Sequence, residues 1–271
     1  MSLVSTDWLE NNIKDVKIID CSWHLPVTKR NPNSEFVKEH IPGAIFFDLD
    51  NNSDQNTELP HMMPKRVHWE KAVGLMGISN EDRIIIYDNS DLISSCRCWF
   101  MFIYFGHDTK LVSVLDGGLK KWKLEKKKMT SKINKVNSSK YIAKEYDVMI
   151  KDKNQININI EKKSFQVLDA RSKNRFNGIE KEPRVNVRSG SIPNSLNLPF
   201  DELINEDNSF KDVKELKRKF KNVLKTDNHS KLVMSCGSGV TSCVLALAYY
   251  LIDNKYRPTI YDGSWSEYGK I

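Results

Sequence analysis

The sequence of 271 residues has no apolar run near the ~18 residues that a membrane-spanning helix needs. Cysteine is scarce as well, and the five cysteines lack the spacing of a disulfide framework, so we expect reduced thiols. The first nine residues have an early acid but neither a basic leader nor an apolar core, which predicts no secretory signal or transit peptide. From these absences we expect a cytoplasmic protein without a membrane partner, with mitochondria as the alternative compartment.

Positive charge is concentrated in one part of the chain. The net charge is +7, and much of the lysine lies in residues 120–128, before a polar segment that extends to Lys140. Because no aromatic residues interleave the later lysines, we interpret this segment as a solvated linker and expect no nucleic-acid partner. The positive field favours small anionic substrates.

Four short motifs occur twice, at offsets of 146 to 151 residues, which predicts two copies of one domain. Within each copy, short Val/Ile/Leu runs alternate with longer helical patterns. This alternation predicts an α/β fold in which each domain has a mostly parallel sheet with helices on both faces. We place the first domain at 1–130, a linker at 131–160 and the second domain at 161–271. The paired motifs are 16–20 with 165–169, 39–44 with 190–195, 84–88 with 232–236, and 115–117 with 261–263.

Cys236 is the candidate nucleophile. It follows a predicted buried strand and begins the loop Cys236-Gly237-Ser238-Gly239-Val240-Thr241, which precedes an almost wholly apolar helix. Open α/β sheets place ligands at this end of a strand, and the glycines allow backbone N–H groups to turn toward a sulfur anion at the start of a helix. We therefore expect the pKa of Cys236 to lie below the free value of about 8.5.

The repeat supplies a comparison within the chain. The position equivalent to Cys236 in the first copy is Asp88, which cannot form a persulfide. We therefore expect one catalytic copy and one supporting copy. The other four cysteines are interpreted as structural, since no second cluster at zinc spacing accompanies Cys96 and Cys98.

Together these features resemble the tandem rhodanese-like sulfurtransferases over essentially the whole chain. The loop Cys236-Gly237-Ser238-Gly239-Val240-Thr241 is similar to that of the members that use 3-mercaptopyruvate, whereas the classical thiosulfate-using members carry basic residues in this loop. Further similar stretches are 39–44, 46–50, 115–118, 169–172 and 261–265. The resemblance implies that the loop residues Gly237, Gly239, Val240 and Thr241 contribute to substrate binding.

The resemblance also implies roles for residues outside the loop. Two arginines of the family bind the donor's carboxylate, one in an Arg-Phe step and one in a Glu-Pro-Arg step, and these match Arg175 and Arg184. A Ser-His-Asp relay has been proposed for the family, and it maps to Ser238, His61 and Asp50. Since the family draws the His and the Asp from the first domain, the resemblance implies an active site between the two domains.

The implied activity is transfer of sulfur from 3-mercaptopyruvate, through a Cys236 persulfide, to a thiol such as thioredoxin or a small dithiol, or to cyanide. The resemblance implies no metal and no organic cofactor. Two alternatives stay open within the family, a thiosulfate sulfurtransferase and a non-catalytic binding module. A cysteine-dependent phosphatase is disfavoured, because the position for its phosphate-binding arginine is Ser242.

Overall fold

A computed structural model describes residues 2–224 and 231–271. The chain forms two compact units, each assembled from several segments. The first unit comprises Met1–Gln55, Met63–Tyr146 and Glu206–Ser209, and the second comprises Asn56–Met62, Asp147–Asn205 and Phe210–Ile271. In the described part of the chain, no helix is long and apolar enough to cross a membrane.

The first unit is built on a five-stranded sheet in the order β1-β5-β4-β2-β3, with all neighbouring strands parallel. Its strands are β1 (Leu3–Val4), β2 (Lys17–Asp20), β3 (Ala44–Phe46), β4 (Ile84–Tyr87) and β5 (Val112–Leu115). Its helices are α1 (Thr6–Asn12), α2 (Pro32–Lys38), α3 (Arg66–Leu75), α4 (Ser95–Tyr104) and α5 (Gly118–Leu124).

Helices cover both faces of this sheet. Successive strand residues point to opposite sides, and the apolar side chains on each side are buried under helices. Ile85 and Tyr87 of β4 pack in one cluster with α1, α2 and α5. Ile84 and Ile86 alternate with them and are also fully buried, and α4 packs against β4 and β5. Each strand is therefore apolar almost throughout, as in other parallel sheets buried on both faces.

The second unit repeats the same topology, with a parallel sheet in the order β6-β10-β9-β7-β8. The predicted fold class, two α/β domains with parallel sheets, is confirmed. The strands are β6 (Ile150–Lys151), β7 (Gln166–Asp169), β8 (Leu196–Asn197), β9 (Leu232–Ser235) and β10 (Ile260–Tyr261). The helices are α6 (Lys153–Lys162), α7 (Lys173–Phe176), α8 (Val213–Leu224), α9 (Ser242–Ile252) and α10 (Ser264–Tyr268). Short 3-10 helices lie at Pro26–Thr28, Asp147–Met149 and Phe200–Leu203.

The segment predicted as a linker, 131–160, differs from the expectation at its C-terminal end. β6 pairs with β10, and α6 begins with a capping box in which Asp152 and Gln155 bond to each other's backbone N–H groups. Residues from Asp147 onward therefore belong to the second unit. Apolar periodicity could not show this, because β6 has two residues and α6 is largely polar.

The rest of that segment, from residue 131 to residue 146, runs along the first unit without regular structure. Residues 131–140 are exposed, but Tyr141 and Ala143 are buried. The backbone approaches closely enough that a Cβ atom on Gly74 would lie 2.7 Å from the carbonyl oxygen of Ser139. Residues 131–140 are thus solvated, while the residues after them pack against the first unit.

Candidate active site

Cys236 lies where the sequence predicted, at the end of a central strand. β9 is buried along its length between β10 and β7, and Cys236 follows it with 1% of its surface exposed. The loop turns at Gly239, whose φ of +77° is a left-handed conformation that glycine adopts without strain. α9 then starts at Ser242, so the first turn of a buried helix lies beside the thiol.

Carbonyl groups of the loop bond to the start of α10. The Trp265 N–H donates to the Cys236 carbonyl oxygen at 2.9 Å, and the Ser266 N–H donates to that of Gly237 at 2.8 Å. The Cys236 N–H in turn donates to Ser264 Oγ at 3.2 Å. These bonds fix the turn in which Cys236 lies.

The electrostatics of the loop favour the thiolate. Burial of Cys236 raises its pKa, because an anion loses its hydration there. The Thr241 hydroxyl and the N–H groups of Ser242 and Ser238 favour the anion, and their effect outweighs burial. The pKa of Cys236 is therefore lowered, which is the direction expected from the glycine-rich loop and the helix start.

Ser238 connects two of the other predicted site residues. Its side chain is buried, and its Oγ accepts a hydrogen bond of 3.0 Å from Nη2 of Arg184. Nδ1 of His61 lies 3.0 Å from the same oxygen and 3.3 Å from the Ser238 carbonyl oxygen. His61 is buried, and its φ of +60° is uncommon for a residue with a side chain. An unusual backbone angle thus accompanies a histidine in contact with the loop.

The placement of His61 differs from the expectation in one respect. The resemblance implied a histidine contributed by the first domain, but the short segment Asn56–Met62 belongs to the second unit. Asp50 lies in the first unit, where Nε1 of Trp23 donates to both carboxylate oxygens at 3.0 Å. The role of Asp50 in a relay stays a prediction.

Arg175 is held by a row of alternating charges. Its Nη2 donates to Oε2 of Glu182 at 2.5 Å, and its Nε donates to Oε1 at 3.2 Å. Nη1 of Arg171 donates to the same Oε1 at 2.7 Å, while Nη2 of Arg171 donates to Asp169 at 2.8 Å. The Asp169, Arg171 and Glu182 side chains are nearly inaccessible, whereas that of Arg175 is 21% exposed. The guanidinium of Arg175 is therefore partly exposed, while the three charged side chains behind it are buried and paired.

Both predicted carboxylate-binding arginines converge on Gly237. A Cβ atom built on Gly237 would lie 3.1 Å from Nη2 of Arg175 and 3.6 Å from Nη1 of Arg184. Two guanidinium groups thus occupy the space beside the loop that a larger residue would need. They can bind a planar anion through paired hydrogen bonds next to the thiol.

The structure thus brings five predicted site residues together in the second unit: Cys236, Ser238, His61, Arg175 and Arg184. Gly237, Gly239, Val240 and Thr241 form the loop itself, and Val240 is buried. Within residues 2–224 and 231–271, no three His, Cys, Asp or Glu side chains cluster as metal ligands would.

Asp88 occupies the corresponding place in the first unit. It follows β4, and its Oδ2 accepts a hydrogen bond of 2.7 Å from the N–H of Ser95, the first residue of α4. The Leu119 N–H donates to the Asp88 carbonyl oxygen at 2.9 Å, as the Trp265 N–H does to that of Cys236. The duplicated loop is therefore present in both units, with a carboxyl group replacing the thiol in the first.

Sequence reasoning missed Arg171 and Glu182 as the residues that hold Arg175. The position of Arg171 could have indicated this, since it lies two residues after Asp169, at the end of a buried strand. An arginine buried there needs carboxylates as partners. Glu182 belongs to the Glu-Pro-Arg step, but its contact with Arg171 depends on tertiary structure.

Comparison with known proteins places these features in a wider group. The family model described as "Rhodanese-like domain" matches residues 5–125 and 152–270. The chain is 38% identical over 275 residues to the 3-mercaptopyruvate sulfurtransferase of Mus musculus, covering 98% of this chain and 91% of that protein. It is 37% identical over 290 residues to the mitochondrial thiosulfate/3-mercaptopyruvate sulfurtransferase 1 of Arabidopsis thaliana, covering 98% of this chain and 75% of that protein.

A solved structure agrees with these sequence matches. The crystal structure of SseA from Escherichia coli, described as a 3-mercaptopyruvate sulfotransferase with the rhodanese fold, superimposes with a TM-score of 0.86 at 31% identity. The superposition covers 98% of this chain and 99% of that one. The similarity therefore extends over both units.

Proposed function

Since this chain belongs to the rhodanese-like family, we propose that it is a sulfurtransferase that moves sulfur from 3-mercaptopyruvate, through Cys236, to a thiol acceptor or cyanide. The observation that carries the choice of donor is the convergence of Arg175 and Arg184 on Gly237. A 3-mercaptopyruvate carboxylate bound there lies next to the nucleophile, so binding also orients its C–S bond.

The transfer proceeds in two steps. In the first, the Cys236 thiolate attacks the donor sulfur, an S–S bond forms, and the C–S bond breaks with its electrons passing to carbon. Pyruvate leaves as the enolate and takes up one proton. In the second, an acceptor thiolate or cyanide attacks the outer sulfur of the persulfide and regenerates the Cys236 thiolate.

Ser238 and His61 stabilise or protonate the departing group. A hydroxyl held by Arg184 and in contact with an imidazole can donate a hydrogen bond to an oxygen that gains negative charge. Asp50 completes the relay in this proposal on the strength of the family resemblance. Thioredoxin or a small dithiol is the proposed physiological acceptor.

Thiosulfate is the alternative donor, and the Arabidopsis relative carries both donors in its name. It is disfavoured because residues 236–241 contain no basic side chain to bind a dianion, and one added at Gly237 would meet both guanidinium groups. Turnover measured with each donor tests this choice. A higher kcat/KM with thiosulfate would overturn it while leaving sulfur transfer intact.

Intact-protein mass spectrometry after addition of 3-mercaptopyruvate tests the transfer itself. We expect one added sulfur of about 32 Da in the wild type and none in Cys236→Ser. Cys243→Ala is the matched control, since Cys243 lies buried in the same unit, and this variant should still gain the sulfur. Mass gain that persists in Cys236→Ser would contradict the proposal, and no gain in any variant would favour the non-catalytic binding module.

A further inference from the structure

The first unit contains part of the row of alternating charges that holds Arg175 in the second unit. Glu35 accepts hydrogen bonds from Nε and Nη2 of Arg30, both at 2.7 Å. Glu182 accepts bonds from the same two atoms of Arg175. Nη2 of Arg30 also donates at 3.0 Å to the carbonyl oxygen of Asn89, the residue after the position equivalent to the nucleophile. Arg175 likewise lies beside the residue after the nucleophile, so the two arginine–glutamate pairs are equivalent.

The arginine between the two carboxylates of that row is missing from the first unit. Asp20 ends β2 as Asp169 ends β7. Two residues after these positions, the first unit has Ser22 and the second has Arg171. Ser22 donates to Asp20 through its N–H, at 2.9 Å, and through its hydroxyl, and both of these donors are neutral. In the part of the chain that the structure describes, no lysine or arginine forms an ion pair with Asp20.

A cavity of about 150 Å³ lies in place of the missing arginine. Asp20 and Glu35 both line it, and so does Leu119. Leu119 corresponds to Trp265, whose ring centroid lies 4.5 Å from the guanidinium carbon of Arg171. Two large side chains of the second unit are thus replaced by a serine and a leucine in the first. A space of this size holds more than one water molecule, so it can take a small organic cation.

The other charged residues that line the cavity are two lysines and a glutamate. Lys123 forms an ion pair with Glu39, and Lys38 is exposed. Burial raises the pKa of Asp20, against the lowering effect of nearby hydrogen-bond donors. A cation in the cavity would reduce the cost of this buried carboxylate, because an opposite charge favours its ionised form.

We propose that this cavity binds a small guanidinium compound, which completes the row in the first unit as Arg171 completes it in the second. Nε and Nη2 of Arg171 donate to Asp169, and its Nη1 donates to Glu182 at 2.7 Å. Asp20 and Glu35 are the equivalent carboxylates, and a planar guanidinium matches such acceptors better than a compact ammonium does. The site lies outside the catalytic loop and is independent of the proposed sulfurtransferase function.

Isothermal titration calorimetry with methylguanidinium chloride tests the site, with methylammonium chloride as the reference ligand. We expect a saturable heat for methylguanidinium and a Kd about tenfold lower than that of methylammonium, which cannot make the paired bonds. N-acetylarginine amide is the third ligand. Tighter binding of this compound would assign the cavity to an arginine side chain of a peptide and would overturn its assignment to a free small compound.

Substitutions at Ser22 and Asp20 test the position of the ligand. Ser22→Arg supplies a tethered guanidinium, so methylguanidinium binding should be lost. Ser22→Ala is the matched control, because it keeps the space and should bind with a Kd within about threefold of the wild type. Asp20→Asn removes the buried charge and should weaken binding by about tenfold or more, which decides the question if Ser22→Arg does not fold. Asp91→Asn should bind as the wild type does, since the Asp91 side chain is 84% exposed.

The results separate the possibilities as follows. Loss of binding in Ser22→Arg and Asp20→Asn, with binding kept in Ser22→Ala, supports the proposal. A wild type without a saturable heat would overturn it. Equal Kd values for methylguanidinium and methylammonium, or unweakened binding by Asp20→Asn, would also overturn it. Because no sulfur donor is present, none of these results depends on persulfide formation at Cys236.

Discussion

Nη2 of Arg184 donates a 3.0 Å hydrogen bond to the Ser238 hydroxyl. The guanidinium proposed to bind the donor's carboxylate is thus connected directly to the hydroxyl proposed to act on the departing group. Binding and chemistry therefore share one contact, because movement of Arg184 also changes what Ser238 can donate.

For Arg184 we predict that Arg184→Lys lowers kcat/KM for 3-mercaptopyruvate by about 10- to 100-fold, since lysine cannot reproduce paired hydrogen bonds to a carboxylate. Both KM and kcat should change, because the Ser238 contact is lost as well. Steady-state kinetics measures the effect. Arg188→Lys is the control, since the Arg188 guanidinium lies over the Trp265 and Tyr268 rings; an equal loss there would argue against a specific role.

His61 allows a test that separates the imidazole from the backbone. Because asparagine tolerates a positive φ better than most residues, His61→Asn should remain folded at the φ of +60° that His61 adopts. We predict a loss of kcat of about 100-fold, the lower range for a positioned acid or base, with little change in KM. A kcat equal to that of the wild type at every pH would exclude His61 from proton transfer.

Glu182 is predicted to act by positioning Arg175. Glu182→Gln weakens the salt bridge that Arg175 makes through Nε and Nη2, so the KM for 3-mercaptopyruvate should rise about tenfold, with a smaller effect on kcat. Glu180→Gln is the control, because the Glu180 residue is exposed and its carboxylate accepts a long 3.4 Å bond from Ser172. Equal kinetics of the two variants would contradict this role.

Arg171 should affect stability more than binding. Its side chain is 1% exposed and pairs with both Asp169 and Glu182, so Arg171→Met leaves the buried Asp169 carboxylate without its cation and leaves Glu182 with Arg175 alone. We expect a loss of about 3–5 kcal/mol in the free energy of unfolding. Urea denaturation measures this quantity, and a loss below about 1 kcal/mol would show that the carboxylates find other partners.

Asp88 makes the stability of the first unit depend on pH. Burial raises its pKa to about 7, against the lowering effect of hydrogen bonds from Ser95 and Ser90. Below about pH 4, Asp88 is protonated whether folded or unfolded. From there to about pH 7 only the unfolded chain ionises, so stability falls as pH rises, and above pH 7 the loss is complete.

Asp88→Asn should therefore be more stable than the wild type at pH 8, and the difference should shrink toward pH 4. Thermal unfolding between pH 4 and pH 8 measures it. Asp91→Asn is the control, since the Asp91 side chain is 84% exposed. A pH-independent difference between Asp88→Asn and the wild type would contradict a raised pKa.

Features that repeat along the chain could be predicted from sequence. The two sheets, their parallel strands and the place of Cys236 follow from the paired motifs around 84–88 and 232–236, because each buried strand needs an apolar run before its loop. The start of the second unit was not predictable in this way. β6 gains its stability from pairing with β10 about 110 residues later, which no local pattern records.

The site likewise has a part that the local sequence predicts and a part that it does not. The loop around Cys236 is local, so its glycines and the helix after it indicated a lowered thiol pKa. The neighbours of that loop are not local: His61 meets Ser238 across 177 positions, and Glu182 meets Arg171 only after the chain turns back between them. Arg175, Arg184 and His61 were identified by family resemblance.

The matching loops of Asp88 and Cys236 also bear on how the duplication could diverge. Each side chain lies just before the first turn of a buried helix, and the backbone contacts from Leu119 to Asp88 and from Trp265 to Cys236 have the same 2.9 Å length. Cysteine and aspartate can therefore be exchanged at this position with little change in the backbone. After gene duplication, one copy could lose its chemistry by changes within one codon and still keep its fold.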